Sequence, residues 1–206
     1  MQESSVLRAH LSDPVEGYRT IRLLSAYRHA QEDLRNGAGE GSTAARQLTI
    51  ACEKTGCDAA RADELIVRWM EVEPLDLLRA HRRDGLIDTL VALRDSGLRL
   101  ALLSDYPAQA KLAALESDHL FEVVVSAQDP EVGVFKPSPR GIEVTLSRLG
   151  VLPNEAVYIG DRHDVDYPAA NAAGVECAIF TSSAPTDPPY TALHSCRHLQ
   201  DLLLAG

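Results

Sequence analysis

Three carboxylates crowd the segment Gly160-Asp161-Arg-His-Asp164-Val-Asp166. Carboxylates this close repel one another unless a cation or a proton intervenes. Hard oxygen ligands suit Mg2+, which keeps several waters and takes one or two carboxylates. Acidic residues are also favoured at a helix N-terminus by its dipole. Asp164 and Asp166 fit that plainer role, and Asp161 is the stronger candidate ligand. Two other segments could handle an anion. Gly133-Val-Phe-Lys136-Pro137-Ser-Pro139 fixes a lysine among prolines, as a phosphate clamp or as an ordinary surface charge. Leu103 is followed by Ser104 and Asp105, where a hydroxyl can bond an anion or simply cap a helix.

These residues act together only if a fold converges them. Short apolar runs at 98–103, 121–125, 156–159 and 175–180 read as buried strands. Helical segments alternate with them: one around Leu86–Leu93, one opening near Pro107, one from Ser138-Pro139 to Gly150, one through Ala169 to Gly174, and a Leu-rich close at 197–205. The pattern predicts an α/β fold over residues 81–206, with a Rossmann-like, doubly wound parallel sheet. Ligands of such sheets sit at the carboxyl ends of the strands, which is where all three segments fall.

Residues 1–80 read as a separate helical domain. Tyr18, Ile21, Leu24, Ser25, Arg28 and Leu34 recur at helical spacing after an Asp13-Pro14 start. Gly37 to Gly41 is a break. Helices follow over Thr43–Lys54 and Ala59–Val72, and Pro74 ends the last or opens the next turn. Tyr18, Tyr27, Trp69, Arg19, Arg22 and Arg28 could face a pocket, although core and surface roles are commoner at this spacing.

The net charge of −10, from 30 acidic and 20 basic residues, argues against a nucleic-acid or anionic-membrane partner. It leaves room for an anionic substrate in a local pocket with a lysine and a cation. Four cysteines without a CxxC pair read as free thiols of a reducing cytoplasm. His194-Ser-Cys196-Arg-His198 is treated as structural. The N-terminus shows no apolar signal core, and no run approaches the ~18 apolar residues of a membrane span.

The ordered set resembles the second, third and fourth motifs of the haloacid dehalogenase superfamily of hydrolases, over about residues 82–206. Ser104 precedes Lys136 by 32 residues, and Lys136 precedes Asp161 by 25. The resemblance implies that Ser104, Asp105 and Lys136 bind a substrate phosphoryl group. Lys136 would also offset charge in the transition state. Asp161 would hold Mg2+, with Asp166 and Asp164 supporting that metal site. The helical region resembles the cap of many family members. The implied reaction is hydrolysis of a small phosphorylated metabolite through an aspartyl-phosphate.

The family's first motif, Asp-x-Asp-Gly-Thr, supplies the nucleophile and the general acid–base. It belongs before about residue 15, where the sequence is Val6-Leu-Arg-Ala-His10-Leu-Ser-Asp13-Pro14, without Asp-x-Asp. Asp13 reads as a helix cap. The family's first strand is central in its sheet, so its loss would leave two strand edges unpartnered. Either the remaining strands close the gap, or Val6 to Leu11 fills it, or the protein starts further upstream. An exposed edge could also invite a second copy of the chain. The alternatives are a non-catalytic module that binds a phosphorylated ligand or a protein, and a haloacid dehalogenase. The latter needs the same aspartate and no metal. A nucleotide-binding fold is remote, because neither GxGxxG after a strand nor GxxxxGK[ST] occurs.

Overall fold

The computed structural model describes residues 13–35, 37, 43–183 and 186–204. The chain divides into two compact units, Met1–Ala80 and His81–Gly206. Among the described residues no helix is long and apolar enough to cross a membrane.

The first unit is helical: α1 (Pro14–Arg35), α2 (Thr43–Thr55), α3 (Ala59–Ile66) and α4 (Leu75–Ala80). Asp13 starts α1 by accepting from the amides of Val15 and Glu16 at 3.0 and 3.1 Å. That is the capping role its position suggests. The buried stripe of α1 runs through Thr20, Leu23, Tyr27, Ala30 and Gln31. Tyr18 lies off it and is 62% exposed. Gln47 of α2, fully buried, donates to the Tyr27 carbonyl at 2.8 Å and so locks the α1–α2 pair. The helix expected over Ala59–Val72 changes character at Val67. Val67–Val72 is a π-helix, in which Glu73 donates to the carbonyl of Arg68 at 2.8 Å. The wider turn accompanies the burial of Trp69.

The second unit alternates as expected: α5 (Leu86–Asp95), β1 (Ala101–Ser104), α6 (Gln109–Ala114), β2 (Val123–Ser126), α7 (Arg140–Leu149), β3 (Val157–Gly160), α8 (Asp166–Ala172), β4 (Glu176–Phe180), β5 (Thr191–Leu193) and α9 (Cys196–Leu204). β5 falls between the apolar run at 175–180 and the Leu-rich close at 197–205, where the sequence pattern marks no strand. Its three residues pair with β4, and the inward Leu193 is fully buried. Three residues are too few for alternation to register.

All the strands are parallel, but they form two ladders, β1–β2 and β3–β4–β5. The same two apolar layers carry both. On one face Ile142, Leu146, Ala169 and Ala170 of α7 and α8 gather Leu103 of β1 and Tyr158 of β3. On the other, Leu93 of α5 and Leu199 of α9 gather Leu100, just before β1, and Ile159 of β3. β1 and β3 therefore lie in one layer, and no ladder joins them among the described residues. The remaining strands do not close the gap. Val6 to Leu11, the other expected filler, lies outside the described residues. Exposure follows from this. Every residue of β1 and β3 is half-buried, while Cys177, Ala178 and Ile179 in β4, paired on both sides, are buried. Gly141 brings α7 onto β1, since a Cβ there would stand 2.8 Å from Leu103 Cδ1.

Native-state hydrogen exchange should rank the strands accordingly. We expect β4 amides to exchange slowest, and the amides of β1 and β3 that point away from their partner strands to exchange roughly tenfold faster or more. Equal protection in β1, β3 and β4 would show that the edges are paired.

Candidate functional site

The site is built around the turn that joins β3 to α8. Asp166 opens α8, and its side chain folds back onto the end of β3. Its Oδ2 accepts from the backbone amides of Asp161 and Arg162 at 3.0 and 2.9 Å. This requires Gly160, because a Cβ there would lie 2.5 Å from Asp166 Oδ2 and 2.6 Å from its Cβ. The glycine before Asp161 thus makes room for the carboxylate six residues later.

The other oxygen, Oδ1, accepts from Lys136 Nζ at 2.6 Å and from the Tyr158 hydroxyl at 3.1 Å. Lys136 Nζ also donates to the Tyr158 oxygen at 3.1 Å. The Lys136 side chain is 14% exposed and that of Asp166 only 2%. The lysine reaches this point from a loop anchored by the buried Val132 and Phe135. Gly133 turns that loop at φ +64°. Arg140 ties it further by donating to the Glu131 carbonyl at 3.0 Å.

Electrostatics keep the pair ionised. For Asp166 burial is the largest influence and opposes the charge. Lys136 and the amides of Arg162 and Asp161 outweigh it and hold the carboxyl below its ordinary value. For Lys136 burial again opposes the charge, but Tyr158, Asp105 and Asp166 together raise the ammonium above its ordinary value. Asp105, just past the end of β1, is one of the charges that act on this cation. The Tyr158 phenol is pushed up, first by burial and then by Asp166. Burial, with Asp166 behind it, also pushes the Cys177 thiol up to about 11, which makes it a poor nucleophile at neutral pH.

The expected site residues are only partly brought together. Lys136, Asp105 and Asp166 converge electrostatically. Ser104 stands at the carboxyl end of β1, in register with Ser126, and its Oγ accepts from the Tyr106 amide at 3.3 Å. Asp161 is exposed at the strand end, and its carboxylate makes no hydrogen bond or ion pair among the described residues. Asp164 turns outward and pairs with Arg162 at 2.6 Å. A carboxylate has about four acceptor positions, and Asp166 uses four. The expected three-carboxylate cluster is therefore not formed. Among the described residues no group of three or more His, Cys, Asp or Glu could hold a metal. Asp161 fits as one ligand of Mg2+, and the described residues do not complete its shell. His194 Nδ1 donates to the Thr181 carbonyl at 2.9 Å, consistent with a structural role.

The sequence reading missed Tyr158. An aromatic in an apolar strand looks like core, and its ring does pack against Ile142 and Ala169. Its one distinguishing signal is its place three residues before Asp161, on a strand whose end carries the chemistry.

Comparison with known proteins identifies the family and the fold. The pattern of a family described as haloacid dehalogenase-like hydrolase matches residues 7–174. A glyceraldehyde 3-phosphate phosphatase from Methanopyrus kandleri is 42% identical over 92 residues, covering 43% of this chain and 39% of the relative. A pyrophosphatase, PpaX, from Bacillus pumilus is 35% identical over 126 residues, covering 59% of this chain and 56% of the relative. The chain thus spans about half or less of the length of these two relatives. The solved L-2-haloacid dehalogenase from Xanthobacter autotrophicus superimposes with a TM-score of 0.68 at 15% identity, over 99% of this chain and 93% of that one, a likeness of fold.

The Lys136–Asp166 pair sets a pH signature. Asp166 is held below the ordinary value of ~3.9. Its stabilisation is present above that value and lost as pH falls through the lower folded one. Lys136 is held above ~10.4, so its stabilisation persists below that value and is lost only as pH rises beyond it. Asp166→Asn should cost about 3 kcal/mol at neutral pH, as for breaking a buried pair. In denaturant titrations the gap from wild type should stay level from roughly pH 5 to 9 and shrink below about pH 4. A gap unchanged down to about pH 2 would contradict the assignment.

Proposed function

Since the chain belongs to the haloacid dehalogenase-like hydrolases, we propose that its α/β unit is the phosphate-handling part of a cytoplasmic, Mg2+-dependent phosphohydrolase acting on a small phosphorylated metabolite. One observation carries this reading. Lys136 is buried, held charged, and aimed at the carboxyl end of a parallel sheet, beside the ends of β1 and β3. A fixed ammonium there suits a phosphoryl oxygen. The two relatives support it, since each is named for removing a phosphoryl group.

In this reading Ser104 donates its hydroxyl, and Lys136 its ammonium, to the phosphoryl oxygens, and the residue at Asp105 completes the β1 end. Asp161 contributes a carboxylate to Mg2+, which would supply charge neutralisation. Asp166 acts on that site indirectly, by fixing the backbone of Asp161 and Arg162 through its two amide bonds. Asp164 supports it through Arg162. The attacking aspartate belongs on a strand seated between β1 and β3, whose end would meet Lys136. The helical unit Met1–Ala80 serves as the cap that selects among substrates.

The haloacid dehalogenase reading ranks below this one. Its structural neighbour is similar in fold, and the uncommitted Asp161 carboxylate favours a metal site. A non-catalytic, phosphate-binding module is favoured by one feature: Asp164 and Asp166 are already committed to Arg162 and to Lys136 with its neighbours.

Calorimetric titration with inorganic phosphate, in the presence of Mg2+, tests the reading. Wild type should bind saturably. Lys136→Ala should weaken binding roughly ten- to a hundredfold, as for loss of a charged hydrogen bond, and Ser104→Ala about two- to tenfold. Unaltered binding in Lys136→Ala would refute it. Hydrolysis of p-nitrophenyl phosphate by the same preparation would favour the phosphohydrolase over the non-catalytic module.

A further inference from the structure

Lys136 stands on a flexible four-carbon stem, and one ion pair does not fix the direction of its ammonium. The geometry points to Tyr158 as a positioning residue, whose hydroxyl holds the Lys136 ammonium in aim at the phosphoryl position instead of leaving it drawn into the β3–α8 turn by Asp166. The inference rests on the phosphate reading above and adds a residue to it.

Three distances make the case. Nζ to Oδ1 of Asp166 is 2.6 Å, Nζ to the Tyr158 oxygen is 3.1 Å, and that oxygen to Oδ1 is 3.1 Å. The three polar atoms form a closed triangle. The hydroxyl has no choice of direction within it. An ammonium has no acceptor and an ionised carboxylate has no proton, so Tyr158 accepts from Lys136 and donates to Asp166. The hydroxyl thus gives the nitrogen an anchor besides Oδ1 and limits its swing about that oxygen.

The hydroxyl is itself well placed. The ring packs against the cluster of Ile142, Ala169 and Cys177, which also receives Leu103 of β1. The ring centroid stands 5.8 Å from Nζ. A tyrosine has only two side-chain torsions, so a ring locked in the core transmits the position of the sheet to the ammonium. A displacement of about 1 Å at a reacting group can cost on the order of a hundredfold in rate. Core packing and site geometry are therefore joined through one phenol.

The test uses Tyr158→Phe, which keeps the ring and its packing and removes only the oxygen. The sequence contains three lysines, Lys54, Lys111 and Lys136, so ammonium signals in 15N-lysine-labelled protein are few, and Lys136→Ala assigns the one of interest. In wild type the Lys136 ammonium signal should survive near neutral pH, protected from exchange. In Tyr158→Phe it should shift and broaden, while inorganic phosphate binds roughly five- to tenfold more weakly, as for loss of one modest hydrogen bond. An unchanged Lys136 signal overturns the inference. So does a changed signal with wild-type phosphate affinity, because the hydroxyl would then hold the ammonium without aiming it. If wild type binds no phosphate, the phosphate reading fails and the aiming role falls with it, whereas saturable wild-type binding that Tyr158→Phe leaves unchanged overturns the inference alone.

Discussion

A single buried carboxylate organises the α/β unit. Asp166 is 2% exposed and accepts four hydrogen bonds, two from the backbone that leaves β3 and two from Lys136 and Tyr158. Taking a carboxylate out of water costs several kcal/mol unless its partners repay it. The surrounding structure can be read as that repayment. Gly160 makes room for it, α8 begins at it, and the loop before α7 delivers the lysine that neutralises it. The same bonds shape a site: they fix the amides beside Asp161 and hold a charged lysine at the end of a parallel sheet.

The other governing feature is the division of that sheet. β1 and β3 share two helical layers and, among the described residues, no ladder. Their residues are half-buried where Cys177, Ala178 and Ile179 of β4 are buried, the reverse of what a doubly wound sheet shows at its centre. The space between β1 and β3 is flanked by apolar side chains on both faces. Its carboxyl end opens beside Lys136. Under the proposed function, the phosphate-handling residues and the nucleophile would meet at the carboxyl ends of β1 and β3.

Much of this was legible in the sequence, for identifiable reasons. Strand–helix alternation and glycine stops located the elements of the second unit, because buried parallel strands and C-terminal glycines leave local marks. Ser104, Lys136 and Asp161 could be singled out since each follows an apolar run. Other features were hidden because they are tertiary. That Asp166 faces inward and Asp164 outward depends on how the β3–α8 turn closes over Gly160. Tyr158 reads as core from its neighbours, and only the lysine 22 residues earlier gives its hydroxyl a role. The buried stripe of α1 is offset from the apparent one, so Tyr18 is exposed while Leu23 and Tyr27 are covered, because α2 chooses the face.

Chemical-shift mapping with inorganic phosphate examines the central claim, that one anion site is assembled around the Lys136–Asp166 pair. Uniformly 15N-labelled protein would be titrated and the saturable amide shifts located. The account predicts that they cluster at Ser104 and Asp105, at Phe135 and Lys136, and at Asp161 and Arg162, with one common dissociation constant. Saturable shifts confined to other parts of the chain, or none in these three segments at saturating phosphate, would contradict it.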